Sequence, residues 1–235
     1  MTGRIVVLTG AGMSADSGLA TFRDSGGLWE GYDVYEVATP DGWAKDPEKV
    51  LEFYNLRRKQ AAKAKPNEGH IALARLEEYY DVTIITQNVD NLHERAGSSN
   101  VMHLHGELSK VRSEKNESLI YEIGDKPIEL GDTADDGAQL RPQVVWFGEM
   151  VPAIEKAASV VPNADILIVI GTSLAVYPAA GLIEYASSES DKFVIDPRNP
   201  HLLSMDSWIH FPEKAASGTP KLAEDLIKKI ENDIS

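Results

Sequence analysis

Short apolar runs rich in β-branched residues alternate along this chain with longer stretches whose apolar positions recur every three or four residues. The first run, residues 4–8 (RIVVL), breaks into glycines and then into a predicted helix. VTIITQ (82–87) predicts a second strand. VMHLHGEL (101–108) predicts a third that ends in a turn at Gly106. ADILIVIGTS (164–173) is apolar on both faces, as a buried parallel strand requires. Residues 193–195 and 208–211 predict two more strands. Between them lie helical patterns. Pro47 opens one through EKVLEFYNLRRKQAAKAK, with Val50, Leu51, Phe53, Tyr54 and Leu56 on a broad apolar face. Pro66-Asn67 starts another through HIALARLEEYY, with Ile71, Ala74, Leu76 and Tyr79 as its stripe. NVDNLHERAG predicts a loop and short helix closed by Gly97. Residues 179–187 predict a helix after Pro178. Thr219 is the expected cap of a last helix to about Asn232, with Pro220 at its first position. Alternation of strands and helices predicts an α/β fold, an open parallel sheet with helices on both faces.

Two stretches break the pattern. Residues 31–47 carry aromatics, glycine and proline without periodicity and predict a mobile loop with short helical pieces. Residues 109–142 are charged, low in large aliphatics and acidic at Asp132, Asp135 and Asp136; they predict an inserted surface module. VVWFGE then predicts a return to the core.

Composition narrows the function. A chain of 235 residues with 43% apolar content suits one substantial core, burying about 70–75% of the unfolded surface. A net charge of −14 argues against general nucleic-acid binding, which needs a basic face. There is no cysteine, so disulfides, thiol nucleophiles and cysteine zinc sites are excluded. The N-terminus enters a strand without a charged and apolar leader, and no apolar run approaches membrane-spanning length. These features predict a cytoplasmic protein that binds no membrane.

The chemistry collects at strand ends, where ligands of such sheets bind. Gly10, Gly12 and Ala15 satisfy G-x-G-x-x-[G/A]. Glycine at 10 permits a tight turn, and glycine at 12 is expected to let backbone amides approach a phosphate at a helix N-terminus. Thr172 and Ser173 suit ribose or phosphate contacts, or simple helix capping. In QNVDNLH, Asn88 offers donor and acceptor and Asp90 a carboxylate, suited to a carboxamide ligand or to an Asx turn. HLHGE places His103 and His105 on one face of the predicted strand; further ligands for a metal are not evident nearby. His105, beside Gly106, is the candidate base, with an ordinary pKa of ~6.5. Tyr54 and Arg57 sit three apart on one helix face. They suit a grip on a carboxylate, or a core tyrosine and a solvated arginine.

Together GAGMSADSGLATFRDSGGLW (10–29), TQNVDNLHERAG (86–97), HLHGEL (103–108), VVWFGEM (144–150) and GTSLAVYPAA (171–180) resemble the sirtuins, NAD-dependent protein deacylases. The resemblance implies one catalytic domain. Its Rossmann-like core would come from about 1–30, 70–108 and 143–235, and its small inserted lobe from about 31–69 and 109–142. It implies that Gly10, Ala11, Gly12 and Ser14 cradle NAD, with Phe22 and Arg23 in a flexible cofactor loop. Gln87 and Asn88 would bind ribose, Asp90 the nicotinamide carboxamide, and Gly171, Thr172 and Ser173 the adenosine side, with Val89 a further cofactor contact. Asp196, where many relatives carry asparagine, and the backbone near Ala216 would be further cofactor contacts. His105 and Asn88 would be catalytic. Val145, Trp146 and Phe147 would pair with the substrate peptide and cover the acyl-lysine. The FYNLRR helix resembles the class III subgroup, making Tyr54 and Arg57 readers of succinyl or malonyl groups. Most sirtuins hold zinc with four cysteines in the module after the catalytic histidine. Here Ser113 stands where the first would be, so no zinc is expected. The implied partners are acyl-lysine proteins or peptides. Rival functions are ADP-ribosyl transfer or NAD hydrolysis on the same scaffold, or a non-catalytic NAD or ADP-ribose sensor, which would have no need for His105.

Overall fold

The first apolar run becomes the middle of the main sheet. The computed structural model describes residues 3–20, 28–29, 31–198 and 207–234. In chain order the elements are β1 (Arg4–Thr9), α1 (Gly12–Ala15), β2 (Leu28–Trp29), β3 (Tyr32–Asp33), α2 (Val34–Val37), α3 (Pro40–Lys45), α4 (Pro47–Lys63) and α5 (Glu68–Leu76). There follow β4 (Asp81–Thr86), α6 (Leu92–Ala96), β5 (Val101–His103), β6 (Gly106–Ser113), β7 (Ile120–Glu122) and β8 (Leu140–Val144). The last are α7 (Ile154–Val160), β9 (Ile166–Ile170), β10 (Asp191–Ile195), β11 (Ile209–Phe211) and α8 (Ala215–Ile234). Six parallel strands run in the order β11-β10-β9-β1-β4-β5.

Side-chain alternation in β1 divides the core into two layers. Ile5 and Val7 face Leu73 and Leu76 of α5 and Leu222 and Leu226 of α8. Val6 and Leu8 face Ala157 of α7, Val161 and Leu182 on the other side. Each such aliphatic side chain, fully buried, contributes about 1.5–3 kcal/mol. The chain moves from β1 to β4 and β5 on one side, then to β9, β10 and β11 on the other. The reversal therefore lies between β1 and β9, where doubly wound sheets open a ligand crevice.

The second lobe is built on α4 and a three-stranded antiparallel sheet, β7-β6-β8. Asp46 starts α4, accepting from the Lys49 amide, with Pro47 in the first turn. Residues 109–142 are thus more than surface. Val111 and Ile128 bury against Leu51 of α4. Their polarity is used inside the module: Ser113, fully buried, donates to Asp136 Oδ2 at 2.7 Å and accepts from the amides of Lys115 and Asn116. Ser113→Ala is expected to cost about 1–2 kcal/mol by stripping both amides of their acceptor. Thermal melts of the variant, with Asp136→Asn alongside, measure it; an unchanged melting temperature would remove this staple from the account.

Several expectations are corrected. VMHLHGEL is two strands: Gly106, at φ +80°, turns the chain out of the parallel sheet into the antiparallel one. VVWFGE does not rejoin the main core, since Val144 and Trp146 pack with Phe53 and Tyr54 of α4. The return comes at α7, which the apolar pattern did not single out. Residues 179–185 wind as 3-10 turns, where an α-helix was expected. Helix α8 begins at Ala215, a turn earlier than expected, with Pro220 inside it. Thr219 is buried and its hydroxyl has no hydrogen-bond partner, so it caps nothing. The short helical pieces expected in residues 31–47 are present as α2 and α3, capped by Asp33 and Thr39. Among the described residues no helix is long and apolar enough to cross a membrane.

Candidate active site

The carboxyl ends of β1, β4 and β9 are tied into one polar floor. The Gly10 amide donates to the Ile170 carbonyl at 3.0 Å, and the Gly12 amide to Gly171 at 2.8 Å. A Cβ on Gly10 would lie 2.7 Å from Thr172 Cβ, and one on Gly12 2.7 Å from Gly171 Cα. These glycines therefore let two loops close on each other. The Gly12 amide itself donates to Gly171, so the loop's own backbone holds the two strand ends together. Asn67, the cap of α5, steadies this loop by donating to the Met13 carbonyl at 2.9 Å and to Ser17 Oγ at 3.1 Å.

Strand ends supply the side chains. Thr9 and Thr86, the last residues of β1 and β4, share a hydroxyl bond of 2.8 Å, and Thr9 also meets His93 Nε2 at 3.2 Å. Burial pushes His93 well below its ordinary pKa, so it is neutral. Gln87 donates to Thr172 Oγ1 at 3.1 Å, and Asn88 donates to Ser14 Oγ at 3.1 Å. Thr172 Oγ1 also accepts from the Leu174 amide, a local turn contact ahead of the 3-10 turns that begin at Ala179. Asp90 Oδ1 accepts from the Leu92 amide at 3.1 Å, the Asx turn anticipated for this loop. Burial raises the Asp90 pKa, against the pull of the Leu92 amide and the Ser14 hydroxyl. The Gly171 amide donates to the Ile195 carbonyl, which sets buried Asp196 beside Gly171. Asp196 accepts from the Arg198 amide at 2.9 Å. Ala216 lies in the first turn of α8. Ala11 precedes α1 and Val89 lies next to Asp90. Phe22 and Arg23 lie outside the described residues.

The two histidines part company. His105 Nδ1 meets the Gln87 carbonyl at 3.0 Å. A carbonyl only accepts, so Nδ1 carries the proton and Nε2 presents its lone pair. Burial lowers the His105 pKa, opposed by that hydrogen bond. The ring is therefore a neutral base at neutral pH. His103 instead spans the Asn88 carbonyl, at 3.0 Å from Nδ1, and Glu94 Oε1, at 2.7 Å from Nε2. Burial pulls His103 down, but the Glu94 hydrogen bond and charge outweigh it, and its pKa is raised. Among the described residues no group of three metal-ligating side chains converges.

Glu94 and His103 thus brace the Asn88 backbone, a role the sequence did not disclose. A raised histidine pKa adds stability below the unfolded value, and this is lost as pH climbs through the folded value. Glu94→Gln is expected to move the His103 midpoint down and to erase that stabilisation on the acid side of the raised pKa. Imidazole nitrogen NMR titration with melts across pH checks it; an unmoved midpoint would discard the brace.

A second wall comes from α4 and the segment after β8. Tyr54 is buried, and its oxygen accepts from Trp146 Nε1 at 3.0 Å. That leaves its own O–H as a donor, and burial raises its pKa. Arg57 is buried too, so the solvated-arginine reading of FYNLRR fails. Arg141 stacks on the Trp146 ring at 3.3 Å and pairs with Glu149 at 2.7 Å, which also accepts from the Trp146 amide. The Val145 amide donates to the His105 carbonyl at 2.9 Å, joining this wall to the base. The Phe147 amide donates to Ala38, and the Phe147 ring is exposed.

Acceptors, carboxamides and a neutral imidazole at a sheet's reversal point suit a dinucleotide: hydroxyls for Gln87, Asn88 and Asp196, a carboxamide for Asp90. A model of the Sir2 family matches residues 10–178. An NAD-dependent protein deacylase of Helicobacter pylori is 58% identical over 194 residues, 83% of this chain and 82% of its own. One from Bacteroides thetaiotaomicron is 55% identical over 231 residues, 95% of this chain and 97% of its own. Among solved structures, a Sir2 homologue in complex with NAD aligns with a TM-score of 0.85 at 40% identity, covering 96% of this chain and 90% of that one. Sir2Tm bound to a propionylated peptide aligns at 0.75 and 29% identity, covering 98% and 94%.

Proposed function

The chain belongs to the Sir2 family and is an NAD-dependent protein-lysine deacylase; from that premise we propose how its residues divide the work, and that acidic acyl groups are among its substrates. NAD, as co-substrate, supplies an electrophilic ribose carbon whose leaving group is nicotinamide. Asp90 and Asn88 position that end, Asp90 by accepting from the carboxamide and Asn88 by holding ribose. The acyl oxygen would take nicotinamide's place on that carbon; His105 Nε2 would then take a proton from a neighbouring ribose hydroxyl, whose oxygen attacks the acyl carbon, and water would complete the release of free lysine and acyl-ADP-ribose. Gly10, Ala11, Gly12 and Ser14 line the phosphate side, with Gly171, Thr172, Ser173, Asp196 and Ala216 toward adenosine. Val145, Trp146 and Phe147 hold the acyl-lysine peptide, and the two lobes act as one catalytic domain. The observation that carries the base assignment is the Gln87 carbonyl on His105 Nδ1, which fixes Nε2 as acceptor.

The acyl preference rests on α4. A buried guanidinium and a buried phenol with its O–H free to donate suit a carboxylate at the end of a short acyl chain. Arg57→Met is expected to lower kcat/KM on succinyl- and malonyl-lysine peptides by about ten- to hundredfold, the loss of one charge-assisted contact. Acetyl-lysine turnover should change far less. Equal losses on acetyl and succinyl peptides would sink the acyl-reader assignment. Nicotinamide release at the same rate without peptide would favour the hydrolase function instead.

A further inference from the structure

Beside the Asp90 loop is a cavity of about 330 Å³ between α4, α6, β6 and the turn after β7. Arg58, Ala62, Asp90, Arg95, Ser109 and Asp125 are among its lining residues, while Gly10, Gln87, Asn88 and His105 are not. Asp90 spends its carboxylate on the Leu92 amide and the Ser14 hydroxyl.

Arg58 is the unusual member. Its side chain is buried, with Nε on the Leu108 carbonyl at 2.7 Å and Nη1 on Asn55 Oδ1 at 2.6 Å. Its Nη2 is buried with no hydrogen-bond partner. Both partners it has are neutral. Arg95, across the cavity, spends its guanidinium on the carbonyls of Ala61 and Ala64. Among the described residues neither arginine forms an ion pair, whereas buried Arg112 and Arg141 both pair with Glu149. Burial pulls Arg58 down to about 10, with no carboxylate near enough to raise it. A buried cation without a counterion, carrying a buried N–H without an acceptor, is satisfied by an oxyanion. Exposed Glu122 and Asp125 also line the cavity. They repel multiply charged anions and favour a small carboxylate, most of all one that also carries an ammonium group.

We propose that this cavity is an effector site for a small carboxylate, amino acids included, seated on Arg58 with its bound state transmitted to the Asp90 loop. One peptide unit makes the link: the Leu108 carbonyl accepts from Arg58, and the Leu108 amide donates to the Val89 carbonyl at 2.8 Å. Occupying Nη2 reorients the guanidinium, and Leu108 passes the shift to Val89 and Asp90. The transmission rests on Asp90 contacting nicotinamide; the binding does not.

Calorimetric titration of the full chain with acetate, L-alanine and inorganic phosphate tests the site. Inhibition by nicotinamide on an acetyl-lysine peptide tests the transmission. Acetate and L-alanine are expected to saturate one site, L-alanine the more tightly, and to shift nicotinamide inhibition severalfold. Arg58→Met removes the seat, and Ala62→Phe fills the exposed side of the cavity without touching buried groups. Both should abolish the titration and the shift, with ligand-free turnover kept within about twofold for Ala62→Phe. Failure of both carboxylates to saturate, saturation by phosphate alone, or binding untouched by Ala62→Phe overturns the site. Carboxylate binding that leaves nicotinamide inhibition unmoved overturns the transmission while the site stands.

Discussion

His105→Ala is expected to cut kcat/KM for deacylation of an acetyl-lysine peptide by on the order of 10³-fold, the usual worth of a positioned general base. The prediction follows from three features of one ring. Gln87 fixes the tautomer, so the lone pair sits on Nε2. Burial lowers the pKa, so the base form persists to lower pH than a free imidazole would allow. The contact that joins His105 to the acyl wall is its main-chain carbonyl, accepting from Val145, and alanine keeps it. The variant should therefore fold and bind NAD within a few-fold of the parent while losing chemistry. In the parent, the acid limb of kcat/KM should fall below pH ~6.5, the free imidazole value. Single-turnover assays following nicotinamide and deacylated peptide separately read this out. Retention of a tenth of the parent rate, or loss of NAD binding in step with activity, would remove His105 from the base role.

Gly171→Ala is expected to destabilise the fold by about 2–5 kcal/mol and to abolish measurable NAD binding at ordinary concentrations. Gly171 has φ +59°, a conformation that costs a residue with a Cβ about 1–2 kcal/mol. The added carbon would stand 2.5 Å from the Met13 nitrogen and 2.6 Å from the Gly12 carbonyl carbon. All its near neighbours are backbone, so the overlap is relieved only by parting the β1 and β9 loops, a further 1–3 kcal/mol or more of overpacking. Melting temperature should fall by about 5–15 °C. Gly18→Ala is the control, because Gly18 has φ +87° but nothing within 4 Å of its Cβ position. If the two variants melt alike, the close approach carries no weight.

Much of this site was legible in the residues, and the reasons for success and failure differ by scale. Buried parallel strands announce themselves as aliphatic runs, so β1, β4 and β9 fell where ILIVI and its counterparts stood. Asn88, Asp90 and His105 stood out as polar groups beside such runs. Hydrogen bonds between distant segments were not legible. Nothing in TGAG says that the Gly12 amide faces a carbonyl at Gly171. Nothing in HERAG says that Glu94 reaches His103. The matching threonines that end β1 and β4 are the one legible sign of such a contact. Tyr54 and Arg57 were placed on one face by spacing alone, but only packing could bury them. Local pattern likewise misjudged residues 109–142, because a small sheet needs few large aliphatics when α4 supplies Leu51 and the loops are stapled through Ser113.

The reversal between β1 and β9 also governs when the molecule comes into being. The first strand is made long before its neighbour on one side: the Arg4 amide pairs with Asp165, 161 residues on. At translation rates of roughly 5–20 residues per second, one flank of β1 stays open for on the order of ten seconds after β1 is made. β4 can pair with β1 much earlier, leaving a nascent half-sheet whose open flank is a row of unpaired backbone N–H and C=O groups, a template for wrong partners. The glycine loop cannot take its final shape until Gly171 arrives. NAD therefore cannot rescue a truncated or stalled chain, and shielding by chaperones would matter most before β9 is complete.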